Sequence, residues 1–297
     1  MEPKTQPGSD QPKSTFPANK RIAYPKKKET KKEETPSKED APVKKDTLTE
    51  EVKQSTTTAT EEVKQSIAEG GAEDWKRKES WNWTHFFNVP LNIPEFKVQF
   101  DGFMDQVSQE FGDEYKDCFQ GFVVMHLSLI QMKLNPGRLK KLMEIMPAVE
   151  EKILEKFKDQ DKLIEFGKLG SFSMGKGASV LYLEVENNKL IETLNTLTHE
   201  LCQLLMKEDV IDESDLKTSH IKWSSKVKKY VMEKLHITLM KSTFARNYKG
   251  ENKDLKPVLA KFKENPWKPI PIDRIDVSVR GEYSADKYYL PLKSIKL

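Results

Sequence analysis

The chain has 297 residues, of which 33% are charged, and its formal net charge is +3. A nearly neutral total argues against a protein that binds nucleic acid over its whole surface, although it permits a local basic groove. The two cysteines, Cys118 and Cys202, are too few for a disulfide scaffold and lack metal-site spacing, which fits a reducing compartment. No apolar run reaches the length of about 18 residues that a membrane span needs, and no apolar signal segment follows Met1.

Residues 1–78 contain almost no large apolar side chains and are rich in Lys, Glu, Thr, Ser and Pro. Such a segment cannot bury enough surface to offset the entropy lost on ordering. We therefore interpret residues 1–78 as a disordered charged tail and residues 79–297 as the folded domain. Within the tail, Lys20-Arg21 followed by Lys26–Lys28 matches a nuclear import signal, although such clusters are common in charged tails. We expect a nuclear location, a cytoplasmic one, or both.

The first half of the folded region alternates strands and helices. Its predicted elements, in chain order, are a strand at Trp81–Val89, a helix at Glu95–Phe111, a strand at Gly121–Lys133 and a helix at Arg138–Phe157. Pro90 closes the first strand, and Pro147 must begin, kink or divide the second helix.

The second half contains two strand pairs, with one helix and one further strand between them. Its predicted elements are strands at Leu163–Phe172 and Ala178–Glu186, a helix at Leu190–Met206, a polar loop at Ser219–Val231, a strand at Glu233–Ser242, a basic insertion at Arg246–Lys263, and a closing hairpin of Ile272–Arg280 and Lys287–Ile295. This order predicts an α+β fold. The rough doubling of the order predicts two similar, pseudo-symmetric lobes around a central cleft.

Two of the predicted strands carry the same local pattern, at Met125–Leu129 and at Leu235–Leu239. Each pattern is a histidine, an apolar residue, a hydroxyl residue and another apolar residue. Because residues two apart on a strand point to the same face, each histidine shares a face with its hydroxyl while the apolar residues face the core. One such match means little, but two among five histidines favour a functional pair.

The paired motifs suit phosphodiester cleavage without a metal. His126 and His236 are the candidate catalytic imidazoles, because one can take a proton from the attacking oxygen while the other gives one to the leaving oxygen. The hydroxyls of Ser128 and Thr238 can bind the phosphate oxygens between them. Which histidine is acid and which is base depends on substrate orientation and stays open here. No acidic cluster has divalent-metal spacing, so we expect neither a metal nor a cofactor.

Other motifs have simpler interpretations. Gly170–Gly177 comes within one residue of a phosphate-loop pattern, but Gly177 stands where that pattern needs a hydroxyl and a β-rich run follows, so we predict a hairpin turn. The remaining histidines are interpreted as structural or surface residues. We expect His85 in the core or at its rim, His199 on the surface of a helix and His220 in a loop.

Basic and aromatic residues provide candidate substrate contacts. The cations expected around the second motif are Lys241, Arg246, Lys249 and the loop lysines Lys222, Lys226, Lys228 and Lys229. They either follow a phosphate backbone or are solvated loop charges. The candidate base-stacking aromatics are Phe86, Phe122, Tyr248 and Trp267, each with core packing as the alternative. Our substrate-binding prediction is Lys241, Phe86, Phe122 and Tyr248.

The paired motifs resemble those of the 2H phosphoesterase superfamily, which is named for two His-x-Thr/Ser motifs. Within it, the chain resembles the phosphoesterase-like domain shared by A-kinase anchoring protein 7 and activating signal cointegrator 1 complex subunit 1. The resemblance covers residues 83–297. The stretches that carry it are Thr84–Leu91, Val124–Leu129, Leu235–Lys241 and Ile272–Val277 together with Tyr288-Tyr289.

This resemblance implies a bilobal α+β fold with a central cleft, and metal-independent cleavage of phosphodiesters in RNA, 2′,5′-linked oligonucleotides or cyclic nucleotides. His126 and His236 match the paired family histidines, and Ser128 and Thr238 match their hydroxyl partners. The first motif departs by carrying Ser instead of Thr. We find no amphipathic helix after the last strand and no RNA-binding KH module within residues 1–78, so kinase anchoring and cointegrator membership are not expected to carry over.

The sequence leaves three hypotheses of different classes. The leading one is a phosphodiesterase that acts on RNA or nucleotides. The second is a non-catalytic nucleotide or RNA-binding module that uses the same cleft, and the third is an adaptor whose tail recruits partners. We expect a monomer with an RNA or nucleotide substrate and no membrane association, and we leave the protein partners of the tail open.

Overall fold

The computed structural model of the chain describes residues 83–174, 177–186, 188–217, 220–245 and 253–297. The predicted tail and its candidate import signal lie outside the described residues. The predicted substrate contact Tyr248 lies outside them too, as do Arg246 and Lys249 of the basic insertion.

The described residues form eleven strands and five α-helices. They are β1 (His85–Pro90), β2 (His126–Met132), β3 (Leu163–Ile164), β4 (Phe166–Met174), β5 (Gly177–Val185), β6 (Ile221–Ser224), β7 (Lys229–Met232), β8 (His236–Lys241), β9 (Ile270–Pro271), β10 (Arg274–Tyr283) and β11 (Tyr289–Lys296). The α-helices are α1 (Pro94–Phe111), α2 (Pro136–Phe157), α3 (Asn188–Lys207), α4 (Glu213–Lys217) and α5 (Lys256–Phe262). None of these helices is both long and apolar enough to cross a bilayer.

Two antiparallel sheets form the two lobes. The first sheet has four strands in the order β11-β10-β1-β2, and the second has three in the order β4-β5-β8. The two strands that carry the histidine motifs, β2 and β8, therefore each occupy an edge of their sheet. This arrangement confirms the predicted bilobal α+β fold, with one histidine strand contributed by each lobe.

The two histidine strands lie against each other without forming a continuous ladder. A backbone strap joins the sheets beside them, which we define as Phe119 and Gln120 with Leu239 and Met240. In this strap the Gln120 amide donates to the Leu239 carbonyl at 2.8 Å, and Phe119 pairs with Met240 as an isolated antiparallel bridge. Only a short 3₁₀ helix, Phe122–Val124, separates the strap from β2. The strap therefore holds the start of β2 beside β8.

The alternation predicted for the motif strands is confirmed. In β2, Leu127 and Leu129 are buried while His126 and Ser128 are partly exposed, and β8 repeats this pattern. Burying each apolar side chain contributes roughly 1.5–3 kcal/mol. A slip of one residue would expose these side chains and bury the imidazoles, so the hydrophobic pattern strongly specifies the register.

Helix α1 lies on an aromatic core. Pro94 stands in its first turn, where a missing amide costs nothing, and Gly112 ends it with a φ of +60° that favours glycine. Its buried Phe96 and Phe103 each lie 5.7 Å from the ring of Trp267, centroid to centroid. Trp267 is buried, so this candidate base-stacking residue is part of the core instead.

Helix α2 runs without a break from Pro136 to Phe157 and contains Pro147 in its interior. An interior proline costs about 3 kcal/mol because it removes one helical hydrogen bond and crowds the preceding turn. The buried Met146 and Val149 on either side of it offset that cost by packing into the core. The helix therefore neither begins nor divides at Pro147.

The prediction of a loop at Ser219–Val231 was wrong. Strands β6 and β7 form an antiparallel hairpin there, with Ile221 opposite Met232 and Trp223 opposite Tyr230. Of its residues, only Ile221 and Met232 are buried, so the hydrophobic alternation that marks a strand is almost absent. A lysine-rich composition concealed a strand pair that is mostly exposed.

The glycine-rich stretch lies where β4 meets β5, two antiparallel strands, and so confirms the predicted hairpin. A β-strand follows Gly177, where a phosphate loop would open a helix. Gly170 has a separate role, because a Cβ built on it would lie 2.4 Å from the ring of Tyr182. Its lack of a side chain makes room for that ring.

Candidate active site

A cavity of about 280 Å³ lies between the facing edges of the two sheets. Both histidine motifs line it, through His126, Ser128, His236 and Thr238, and Lys241 lines it as well. The other lining residues are Trp83, Gln120, Val124, Met125, Gln131, Phe172, Val180, His220 and Tyr289. The structure thus brings together the two motifs, which lie far apart along the chain.

Hydrogen bonds orient the first imidazole. His126 Nδ1 lies 2.8 Å from the Val124 carbonyl oxygen, and its Nε2 lies 3.0 Å from Ser128 Oγ. Because a carbonyl oxygen can only accept, we assign the proton of the neutral ring to Nδ1, which leaves Nε2 as the acceptor of the Ser128 hydroxyl. The basic nitrogen of the ring is therefore the one beside the motif's own hydroxyl.

The second imidazole is oriented in the same way. His236 Nδ1 lies 3.0 Å from the carbonyl oxygen of Lys234. In both motifs the accepting carbonyl belongs to the residue two positions before the histidine, where the chain enters the strand. The same tautomer follows, with Nε2 left to accept or, once protonated, to donate a proton.

Aromatic rings enclose His126. The ring of Phe86 lies 5.2 Å from it and the ring of Tyr289 lies 5.3 Å from it, centroid to centroid, with Tyr289 at 90°. Phe86 is 0% exposed, so no base can reach its ring. This corrects the prediction that Phe86 contacts substrate, because the side chain instead packs against the catalytic candidate.

Aromatic rings also support His236. Phe172 lies 5.0 Å from it at 81°, and the buried Tyr182 lies 5.2 Å from it, centroid to centroid. Gly170 on β4 makes room for Tyr182 on β5, and Tyr182 packs against His236 on β8. The glycine therefore helps to determine the position of this imidazole.

Burial lowers the pKa of both imidazoles. The pKa of His126 falls to about 4, chiefly through loss of solvation, and the charges of Lys241 and His236 lower it further. The pKa of His236 is lowered by burial first, and by the charges of His220, Lys234 and Lys241. Both rings are therefore neutral at neutral pH when the cleft is empty.

Lys241 supplies positive charge to the cleft from the end of β8. Burial lowers its pKa, and the nearby charge of Arg280 lowers it further. A partly buried ammonium group beside two imidazoles favours an anion in the cleft, because an anion would offset its loss of hydration. Of the three predicted substrate contacts that the structure describes, only Lys241 lines the cleft.

Phe122, which the structure describes, does not reach the cleft. Phe122 is partly buried and stacks on Phe100 at 6.4 Å between ring centroids, with the ammonium of Lys97 5.6 Å from its centroid. It does not line the cavity. Tyr248 lies outside the described residues.

Sequence reasoning missed His220, Phe172 and Tyr289 as cleft residues. His220 lies in a bend before β6, as predicted, but its ring also lies 5.6 Å from that of His236 at 89°. Phe172 and Tyr289 belong to β4 and β11, whose positions relative to the motif strands follow only from sheet order. The dense mixture of lysine and aromatic residues after His220 was the one signal that could have suggested a functional segment.

A buried polar network lies behind the first motif. Asn88, opposite Ser128 in the β1–β2 ladder, donates from Nδ2 to Ser278 Oγ at 2.9 Å. The hydroxyl of the buried Tyr288 donates to Asn88 Oδ1 at 2.5 Å. Satisfied networks of this kind rigidify the strands that they connect. These hydrogen bonds therefore rigidify the first sheet beside Ser128.

Two other chemistries find little support among the described residues. These residues contain no group of three or more His, Cys, Asp or Glu side chains arranged to hold a metal ion. Both cysteines are buried, and burial raises the pKa of the Cys118 thiol and raises that of Cys202 to about 12. Neither thiol is therefore a nucleophile near neutral pH.

His85 is buried, as predicted, with Nδ1 2.8 Å from Thr84 Oγ1.

Two facing edge strands, each bearing a histidine and a hydroxyl, define a fold of the 2H phosphoesterase class. The chain belongs to the family described as the AKAP7 2′5′ RNA ligase-like domain, whose model matches residues 83–297. This match confirms the resemblance inferred from the motifs. Comparison with curated protein sequences finds no significant match.

Several solved structures are similar to the chain. Escherichia coli LigT complexed with 3′-AMP has 13% identity and a TM-score of 0.41, over 72% of this chain and 97% of LigT. TT0787 of Thermus thermophilus has 15% identity and a TM-score of 0.41, over 72% and 97%. The MHV ns2 PDE domain has 13% identity and a TM-score of 0.38, over 67% and 99%.

Proposed function

We propose that this protein is a metal-independent phosphodiesterase that cleaves RNA, 2′,5′-linked oligonucleotides or cyclic nucleotides. The observation that carries the proposal is the meeting of two neutral, identically oriented imidazoles in one cleft. Membership of the 2′5′ RNA ligase-like family supports a 2H phosphoesterase-type function. The catalytic residues of the proposal are His126 and His236, with Ser128 and Thr238 as phosphate ligands.

The scissile phosphate would lie between the two motifs. The hydroxyls of Ser128 and Thr238 donate to its non-bridging oxygens, and the Lys241 ammonium offsets its negative charge. The Ser128 hydroxyl turns from His126 Nε2 to the phosphate as the substrate enters, because a hydroxyl rotates freely to suit its partner. His126 Nε2 is then released for proton transfer.

Proton transfer needs one neutral imidazole and one imidazolium. We assign the base to His126, whose pKa of about 4 keeps it neutral in the empty cleft, and the acid to His236. The negative charge of the bound phosphate raises the pKa of His236 and so favours its protonated form. His126 Nε2 accepts the proton of the attacking oxygen, and His236 Nε2 donates a proton to the leaving oxygen.

The test is a panel of linear, cyclic and 2′,5′-linked oligonucleotides, incubated in EDTA with the wild type, His126→Gln and His236→Gln. We expect the wild type to cleave at least one class, and each variant to lose about 10²–10⁴-fold in rate. Circular dichroism checks that both variants are folded. Activity abolished by EDTA, or retained in both variants, would contradict the proposal. Tight binding without turnover by the wild type would identify the non-catalytic binding module instead.

A further inference from the structure

The hairpin of β6 and β7 begins at the cleft. His220 immediately precedes β6, and it lines the cavity with its ring 5.6 Å from that of His236. A strand rises about 3.3 Å per residue, so Trp223 lies roughly 10 Å along the chain from His220. A few nucleotides of a single strand can bridge such a separation.

An exposed aromatic platform lies on this hairpin. Trp223 is 53% exposed, and its ring lies 5.1 Å from that of its cross-strand partner Tyr230, centroid to centroid. His199 of α3 supports the pair, since the Tyr230 amide donates to His199 Nδ1 at 3.3 Å. A supported indole with an open face suits base stacking, which tolerates any sequence because every base has a π-face.

A cavity of about 720 Å³ opens beside this platform and is lined by Trp223, Tyr230, Lys222 and Glu213 among others. Lys222 forms an ion pair with Glu233 at 2.6 Å. With Glu213 in the wall, the cavity disfavours a phosphate and suits an uncharged base. This cavity therefore suits a base, whereas the cleft between the histidines suits a phosphate.

The turn of the hairpin carries the positive charge. Lys226, Lys228 and Lys229 are all exposed there, and Lys228 has a φ of +51° in the tight turn. Exposed lysines beside an aromatic platform match a single strand, whose bases stack while its phosphates meet the ammonium groups.

We propose that the β6–β7 hairpin is a second nucleic-acid-binding surface, which holds the single-stranded segment that flanks the scissile phosphate. A base stacks on Trp223, and the neighbouring phosphates contact Lys226, Lys228 and Lys229. This inference rests on the proposed function for the cleft. It makes single-stranded oligonucleotides, in preference to mononucleotides, the substrate class.

The experiment measures binding, so it does not depend on turnover. Fluorescence anisotropy follows a labelled dinucleotide and a labelled single-stranded decanucleotide on the full chain carrying His126→Gln. Adding Trp223→Ala should weaken decanucleotide binding about tenfold and leave dinucleotide binding unchanged. Trp223→Phe, which keeps a stacking face, should restore most of the affinity and so excludes a folding defect.

The lysines are tested through salt dependence. Replacing Lys226, Lys228 and Lys229 by Gln should reduce the slope of log affinity against log salt by about two, because each phosphate contact on a single strand contributes about 0.7. A matched triple variant with the same charge change on other elements is Lys158→Gln, Lys268→Gln and Lys296→Gln. It should leave the slope unchanged.

Three results would overturn this proposal. They are equal affinity of the parent protein for the two ligands, decanucleotide binding unaffected by Trp223→Ala, and equal slopes for the two triple variants. Competition by an acidic peptide that matches the decanucleotide would indicate a protein partner for the hairpin and would also overturn it. If the hairpin variants behave as expected while the wild type cleaves nothing, the proposed function fails and the binding surface remains.

Discussion

The two histidine motifs share one backbone design but lie in different surroundings. In the first lobe, His126 is packed between Phe86 and Tyr289, and the Asn88 network holds the strand behind it. In the second lobe, His236 lies beside the exposed His220, at the base of a lysine-rich hairpin. Both imidazoles line the cleft and pack against aromatic rings, but His236 also lies next to an exposed, lysine-rich segment.

Under the proposed function, this difference gives the two lobes different roles. Proton transfer requires two imidazoles with matching orientation, and the carbonyls of Val124 and Lys234 provide it equally. Recognition of a substrate requires an exposed segment with varied chemistry, and the β6–β7 hairpin beside the second lobe is such a segment. The first lobe would hold the phosphate in a fixed position, while the second would select what is attached to it.

The largest expected effect tests whether the two imidazoles act as one unit despite their surroundings. The double variant His126→Gln/His236→Gln should lose about as much of its rate as either single variant, roughly 10²–10⁴-fold. Groups that transfer protons in one concerted step are not additive. Single-turnover rates measure this. Losses that multiply in the double variant would show that the two lobes act independently.

The next effect concerns stability and should be pronounced in the enclosed lobe. The pKa of His126 is about 4 when folded, against an ordinary value of 6.5. Between these two pH values the unfolded chain binds more protons than the folded chain. The free energy of unfolding is therefore highest above pH 6.5 and falls by about 3 kcal/mol as the pH drops toward 4. His126→Gln should flatten this dependence. Urea unfolding across that range measures it, and an unchanged slope would contradict the enclosure of His126.

A third effect is the pH profile of kcat/KM, which reports the free enzyme. The base must be neutral and the acid protonated, so activity should rise as the pH increases through about 4, the pKa of His126. It should already be falling below pH 6.5, because the pKa of His236 is lowered from its ordinary value. Lys241→Gln removes a charge that lowers the pKa of both imidazoles. Both limbs of the profile should therefore move to higher pH, beside any loss of affinity. A maximum above pH 7 in the wild type would oppose the assignment.

The smallest expected effect distinguishes the lobes most sharply. His220 lowers the pKa of His236 and is not among the groups that lower the pKa of His126. His220→Gln should therefore shift only one limb of the profile to higher pH. Burial, with the charges of Lys234 and Lys241, still keeps the pKa of His236 below its ordinary value. A shift of the alkaline limb is expected if His236 is the acid. A shift of the acidic limb would reverse the roles of the two histidines.

The motif strands were predictable because their burial alternates with a period of two, which the sequence displays directly. Phe86 was misplaced because β1 is an interior strand with neighbours on both sides and with all six residues buried. A strand covered on both faces loses its alternation. The sequence alone could not distinguish a ring that faces substrate from one beneath a neighbouring strand.

His220 and the hairpin were missed for the opposite reason. Their residues are so polar and exposed that pairing left almost no hydrophobic signal. Phe172 and Tyr289 reach the cleft because of the order of strands within each sheet, and that order depends on contacts between distant segments. Local periodicity identified the catalytic candidates but not the residues that surround them.

The backbone strap has a consequence for how this protein can change over generations. The hydrogen bond from Gln120 to Leu239 joins main-chain atoms, so among side-chain replacements only proline at position 120 removes the donor. Most side-chain substitutions therefore leave this hydrogen bond between the two sheets intact. Side-chain substitutions in the walls of the cleft can therefore alter what it binds while this main-chain link between the two sheets stays in place.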